Sequence, residues 1–285
     1  MIFTYEDFSK VLFKGLSDYS KYVKENQIDK LLGVNIDEYG DASVKQIKSP
    51  FDSVNPEMTE ALPAELDDLS RLHFLVRSRK VITVLEFGTG KSTVIFDDAL
   101  KRNASEYENY IENNLRRTNR FECFSVDNYQ SWIDEVKNNY KTERVNFHYS
   151  SLKMGLFNDR VCTFYSSLPN ISPDLIYLDG PDLFSPEGDV RGITTKHPDG
   201  LPMSADILAI EHFLLPGTLI IADGRTANAR FLRANLQRDW LYYHDSQADQ
   251  NYFELSEKPL GVYNERQINF CLGDSFFERL KEFNN

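Results

Sequence analysis

The sequence predicts an α/β protein: a doubly wound, mostly parallel sheet of seven strands, preceded by an N-terminal helical extension. Three observations carry this. From residue 81 onward, short apolar runs alternate with segments of helical periodicity, which is the texture of βαβ units. Before residue 79, apolar residues recur at helical spacing only. The apolar runs end in acids and glycines, at the places where an open sheet holds its ligand. The chain therefore divides into an extension, 1–78, and an α/β domain, 79–285.

The elements follow in order. Residues 4–25 read as one amphipathic helix, with Thr4 and Asp7 as a capping box and Phe8, Leu12, Leu16 and Tyr19 on one face. A loop carrying Pro50, Pro56 and Pro63 comes next. A second helix over 64–78 places Leu66, Leu69, Leu72 and Val76 together, with His73 packed beside them rather than acting as a ligand. The strands are 81–87, 121–128, 144–150, 174–180 and 218–224, and NYFEL with INFCLG closes the sheet as a pair. Between the first two strands the sequence reads as two helices, KSTVIFDDALKR and EYENYIENNLRRTNR. YQSWIDEVKNNY, SADILAIEHFLLPG and TANARFLRANLQ supply the remaining helices.

Composition excludes several function classes. The 285 residues are 41% hydrophobic, enough for a sizeable core. No window is apolar and long enough to span a membrane, and the N-terminus lacks the pattern of a signal peptide. A cytoplasmic protein without a membrane partner is expected. Three scattered cysteines, Cys123, Cys162 and Cys271, fit reduced thiols, with no metal-binding spacing. The net charge of −12 and the lack of a basic stripe argue against nucleic acid as a partner.

The stretch V-L-E-F-G-T-G-K-S-T, residues 84–93, poses the main question. Its tail imitates a phosphate-binding loop, but the first glycine of that motif falls on Leu85, inside the strand. A dinucleotide loop needs a third glycine where Thr93 stands, and Glu86 before the loop would repel a pyrophosphate. The same acid would attract a ligand bearing an ammonium and a sulfonium.

E-x-G-x-G-x-S at the end of a first strand resembles motif I of the class I S-adenosylmethionine (SAM)-dependent methyltransferases, with their Rossmann-like sheet. The resemblance continues in FSVDN, PDLIYLDGPD and LLPGTLIIADG, and so covers about the last 205 residues. It implies SAM as cofactor, held by Glu86, Phe87, Gly88, Thr89, Gly90, Ser92, Asp127, Asn128 and Asp179. Glu86 would meet the methionine amino group, and Asp127 the ribose hydroxyls. The family often places an acid or amide after strand three to read adenine; Ser150 and Ser151 stand there instead.

Acceptor chemistry is expected at the exits of strands four and five. Asp179 and Asp223 would end neighbouring strands about 5 Å apart, so they share a proton or a cation. The catechol and macrocin types of O-methyltransferase hold Mg²⁺ with acids at these exits and add a third Asp or Asn. Here Gly224 and Arg225 follow, the third ligand is missing, and the metal stays an open alternative. Asp182 and His197 are further candidate bases; His197, in a loop from 181 to 202 that reads as a lid, is either a base that closes over the acceptor or, the favoured reading, a solvated loop histidine. No D-P-P-Y-like motif or Pro-Cys nucleophile is present. The acceptor is thus expected to be a small molecule or saccharide, at oxygen ahead of nitrogen. The N-terminal helices pack near the cofactor mouth or form a homodimer contact. Two alternatives stay open: an NAD-dependent oxidoreductase, and a non-catalytic SAM-binding protein.

Overall fold

The structure, a computed structural model, describes residues 5–34 and 64–283. The Thr4 cap and the loop with Pro50, Pro56 and Pro63 lie outside the described residues. In chain order the elements are α1 (Tyr5–Leu12), α2 (Tyr19–Asn26), α3 (Ile28–Leu32), α4 (Leu66–Ser78), β1 (Thr83–Phe87), α5 (Lys91–Asn114), β2 (Glu122–Asp127), α6 (Gln130–Asn139) and β3 (Val145–Tyr149). There follow β4 (Leu152–Phe157), β5 (Arg160–Tyr165), β6 (Leu175–Leu178), α7 (Asp206–Ile210), β7 (Leu219–Asp223), α8 (Thr226–Asn235), β8 (Trp240–Asp245), β9 (Gln250–Leu255), α9 (Gly261–Cys271) and α10 (Asp274–Phe283).

Among the described residues, seven strands form one sheet in the order β3-β2-β1-β6-β7-β9-β8. The first five are parallel, and β9 runs antiparallel to both β7 and β8. The chain winds outward from β1 to β3, then returns to β6 on the other side of β1. That reversal between β1 and β6 is the switch point at which an open sheet forms its crevice. The fold class expected from the sequence is the one observed.

Side chains alternate across the sheet with period two. Val84, Leu175, Tyr177, Leu219 and Ile221 join one core, shared with α4, α5 and the N-terminal residues Phe8, Leu12, Val23, Ile28 and Leu32. Leu85, Phe87, Ile176, Leu178, Ile220 and Ala222 join the other core, with the β4–β5 hairpin, α7 and α8. The extension therefore packs directly on the sheet. His73 is sealed there, bonded to Tyr22 Oη (2.8 Å) and Asp98 (3.0 Å), so it is a packed histidine as expected.

Several elements differ from the sequence reading. The helix expected over 4–25 is two helices, because Gly15 turns the chain at φ +96°. The two helices expected after β1 are one, α5, of 24 residues. INFCLG lies within and beyond α9, not in a strand; Asn264, Gln267 and Ile268 are its buried face, at helical spacing. β9 pairs instead with Trp240–Asp245. The helix expected over 204–217 shortens to α7 and a turn of 3₁₀ helix at Glu211–Phe213. The β4–β5 hairpin was not expected; its turn residues Asn158 and Asp159 both have positive φ, the geometry of a tight two-residue hairpin turn. The three cysteines are free thiols.

Candidate active site

The loop after β1 is built on close backbone packing. Gly88 has φ +99°, and a Cβ there would lie 2.7 Å from Gly180 N. Gly180 is equally confined, since its own Cβ would lie 2.7 Å from Gly88 N. The amides of Asp179 and Gly180 both donate to Phe87 O, at 2.9 and 2.5 Å. The turns after β1 and β6 are thus locked together at the switch point. Gly90 differs: its φ of −170° is ordinary extended backbone, and a Cβ there would meet no atom within 4 Å.

Glu86 is sealed beneath this loop, with no exposed surface. Its two oxygens accept from Ser92 Oγ and Thr93 Oγ1, both at 2.6 Å, and Thr93 Oγ1 in turn accepts from Gly90 N at 3.0 Å. Burial pushes the Glu86 carboxyl up to about 7, and the hydroxyls of Ser125, Ser92 and Thr93 hold the rise in check. In this structure Glu86 and Ser92 bind each other and fix the start of α5. Leu85 lies buried in the strand, so the phosphate-loop reading has no geometric basis.

Asp127 ends β2 and is 5% exposed. Oδ2 accepts from Thr89 N and Oδ1 from Tyr129 N, each at 2.7 Å. Burial raises its pKa to about 6 against these backbone donors. A carboxylate with two such bonds retains acceptor capacity. Thr89 Oγ1 also pairs with Ser125 Oγ, at 2.8 Å. The structure thus brings Thr89 and Asp127 together and places Asn128 beside them. Ser150 and Ser151, at the β3 exit, bond to Ser167 and Ser166.

The segment expected as a lid lies over the β2 exit. Asn128 Nδ2 donates to Ser185 Oγ, and Tyr129 Oη to Asp182 at 3.3 Å. Farther along, Glu187 N donates to Leu152 O (2.7 Å) and its carbonyl accepts from Met154 N (3.0 Å). His197 is 64% exposed on its side chain; its polar contacts, to Asp199, lie within its own turn.

Asp179 and Asp223 follow the paired residues Leu178 and Ala222, so they do end neighbouring strands. Asp223 accepts from Tyr177 Oη (2.7 Å) and Gln250 Nε2 (3.2 Å). Asp179 leaves 55% of its side chain open. Desolvation by the surrounding protein pushes its carboxyl up to about 7; Arg225 opposes the rise, while Asp223 and Glu65 add to it. Water reaches the open part of this side chain and screens the charges that act on it. Arg225 stands 3.9 Å from Asp179 and donates to Pro181 O at 2.8 Å.

Sequence reasoning missed the first turn of α4. Asp68 is buried there, bound to Arg71, and burial with the nearby Asp223 and Asp67 charges pushes its carboxyl up to about 9. Tyr165, at the end of β5, was missed with its hairpin. Among the described residues no group of three or more His, Cys, Asp or Glu side chains could hold a metal ion. Asp223 Oδ2 accepts from both Tyr177 and Gln250, and Arg225 supplies the positive charge beside Asp179. The expected third ligand has no substitute in the residues described, and the acid pair does not fit Mg²⁺.

No protein-family model and no curated protein matches the chain. Distant likenesses exist among solved structures. One is the methyltransferase PaMTH1 of Podospora anserina, bound to S-adenosylhomocysteine (SAH); identity is 12%, covering 88% of this chain and 95% of that one, with a TM-score of 0.39. Another is the O-methyltransferase TomG from Streptomyces achromogenes, involved in tomaymycin synthesis and in complex with SAM (13%, 87% and 95%, TM-score 0.35). A third is human N-acetylserotonin methyltransferase in complex with SAM (15%, 82% and 64%, TM-score 0.31). At such identities and scores they add no weight to a functional reading, which rests on the site's own residues.

Proposed function

We propose that the chain is a SAM-dependent methyltransferase of the cytoplasm, transferring a methyl group to oxygen of a small-molecule or saccharide acceptor. The observation that carries this is the joint at the switch point. A glycine loop locked to the β6 turn leaves Gly90 open to approach, between an acid that ends β2 and an open acid that ends β6.

The residues suit the cofactor. A Cβ-free position at Gly90 admits a ligand close to the backbone. Asp127 has oxygen lone pairs left for ribose hydroxyls. The strand exits carry Asp127, Asp179, Asp182 and Asp223 against Arg225, an acidic surplus that favours a cation. When bound, the cofactor supplies a methyl group on a positively charged sulfonium.

Asp179 acts as general base. It is open to an acceptor, and its raised pKa suits it to take a hydroxyl proton near neutrality. Asp223 keeps that pKa up, and Arg225 limits the rise and holds the chain at Pro181. Glu86 acts through the loop, because its oxygens hold Ser92 and Thr93 and, through Thr93, the Gly90 amide. The loop over the β2 exit covers the side of Asn128 and Tyr129 and leaves Asp179 open to an acceptor.

Calorimetric titration with SAM, SAH, ATP and NAD tests the reading. Micromolar binding confined to the adenosyl-sulfur ligands is expected, and Asp127→Ala should weaken it by about 1–3 kcal/mol, the scale of a bond to a charged group. Binding of ATP or NAD instead, or an Asp127→Ala variant with unchanged affinity, would sink it. Binding without turnover over a broad acceptor screen would favour a non-catalytic SAM-binding protein.

A further inference from the structure

Tyr165 is held firmly and left unfinished. Its backbone N–H donates to the two oxygens of Asp206, at 3.1 and 3.4 Å. Its ring stacks on Phe87, the residue before Gly88, with centroids 5.6 Å apart and planes 15° from parallel. The residue is 5% exposed, yet its hydroxyl has no hydrogen-bond partner among the described residues. A buried hydroxyl without a partner is destabilising, and phenylalanine would fill the same space without that cost. Besides Asp127 at the β2 exit, the charges that reach the hydroxyl are those of its own anchor Asp206, of Arg225 at the β7 exit and of Asp182 in the covering loop. Of these, Asp127 is the acid proposed above to take the ribose hydroxyls.

We propose that Tyr165 is a further binding residue of the strand-end site, its hydroxyl hydrogen-bonding the adenosyl cofactor on the Phe87 side of the glycine loop. The inference rests on the methyltransferase reading. It also changes the role of Phe87: the sealed Phe87 ring braces Tyr165 rather than touching the ligand.

The test is Tyr165→Phe, which removes one oxygen and keeps the stack. The full chain and the variant are compared by thermal unfolding without ligand and by calorimetric titration with SAH. The expected result is an unfolding temperature equal to or above the parent's, with SAH bound about 5- to 30-fold more weakly. Equal affinity overturns the proposal and leaves the methyltransferase reading standing. A lower unfolding temperature also overturns it, since the hydroxyl's partner then lies within the chain. If the parent protein takes up no SAH, the methyltransferase reading fails and this proposal fails with it.

Discussion

The two glycines of the loop after β1 should fail in different ways when each is replaced by alanine. At position 88 the backbone is left-handed, φ +99°, and the new Cβ would sit 2.7 Å from Gly180 N, 3.0 Å from the Asp179 carbonyl carbon and 3.1 Å from Gly180 Cα. All three obstacles are backbone atoms of the β6 turn, which is itself fixed by two amides on Phe87 O. A left-handed alanine costs about 1–2 kcal/mol, and forcing a methyl into a packed site costs about 1–3 more. Gly88→Ala should therefore lose about 2–5 kcal/mol, or roughly 4–20 °C in unfolding temperature for a chain of this size. Gly90→Ala has ordinary backbone and no atom within 4 Å of the new methyl, so its stability should stay within about 0.5 kcal/mol. Its methyl occupies the side of the loop open to a ligand, and SAH affinity should fall at least about tenfold. Thermal unfolding and calorimetry on both variants decide the matter. A Gly88→Ala protein as stable as the parent, or a Gly90→Ala protein that loses stability and keeps its affinity, would refute the division of roles.

Other changes have equally definite outcomes. Glu86 binds protons more tightly folded than unfolded, so its contribution is fully present below about pH 4.5 and is lost as pH rises through about 7. Denaturant titrations should show about 3 kcal/mol of that loss absent in Glu86→Gln; an unchanged pH dependence would contradict it. Asp179→Asn should lower turnover by about 10²–10⁴ with SAH affinity nearly intact; Arg225→Met, removing the cation that lowers Asp179, should move the acid limb of the pH–rate profile upward. Glu254, fully buried between Arg79 (2.8 Å) and Arg279 (2.6 Å), leaves two arginines facing each other when changed to Gln. About 3–5 kcal/mol should be lost on thermal unfolding, and a loss below 1 would show that water enters the site. Phe184 N, bonded to the Asp182 side chain at 2.7 Å, should exchange its hydrogen faster than Glu187 N, which is bonded to the backbone of β4; equal protection would count against a loop held more loosely by its side-chain contacts than by β4.

The inner strands β1, β6 and β7 were legible because they are buried on both faces and read as apolar runs ending in an acid or glycine, whereas β3, at the sheet edge, is half exposed and was read from its position in the βαβ order. Of the closing pair, β9 was legible and its partner was not. In β8, aromatic residues fill both faces, with Leu241 and Tyr243 toward one core and Trp240 and Tyr242 toward the other, so no alternation marks the strand. In α9 the buried face is partly polar: Gln267 bonds Asp174, and Asn264 bonds Pro216 O, contacts that exist only after folding. The Asn158-Asp159 pair was a readable turn signal between the hairpin strands. At the site, the glycines and acids were found by position, but their duties were not. That Glu86 turns inward depends on the hydroxyls of Ser92 and Thr93, one turn into the next helix. That Asp68 reaches the β7 exit depends on how the extension folds back over the sheet.

The period-two alternation of the sheet gives the crevice two unlike walls. Asp179 and Asp223 continue the row of Tyr177 and Ile221 and face the start of α4, with Glu65 and Asp68. Phe87 belongs to the opposite row and stacks on Tyr165 of the hairpin. The strand tips are thus a parting line between a charged side and an aromatic side. Each wall is furnished by a separate piece of chain, 64–68 on one flank and 152–165 on the other, and neither piece belongs to the glycine loop. The lining of the crevice can therefore drift by exchange in either flank while the joint between Gly88 and Gly180 stays as it is.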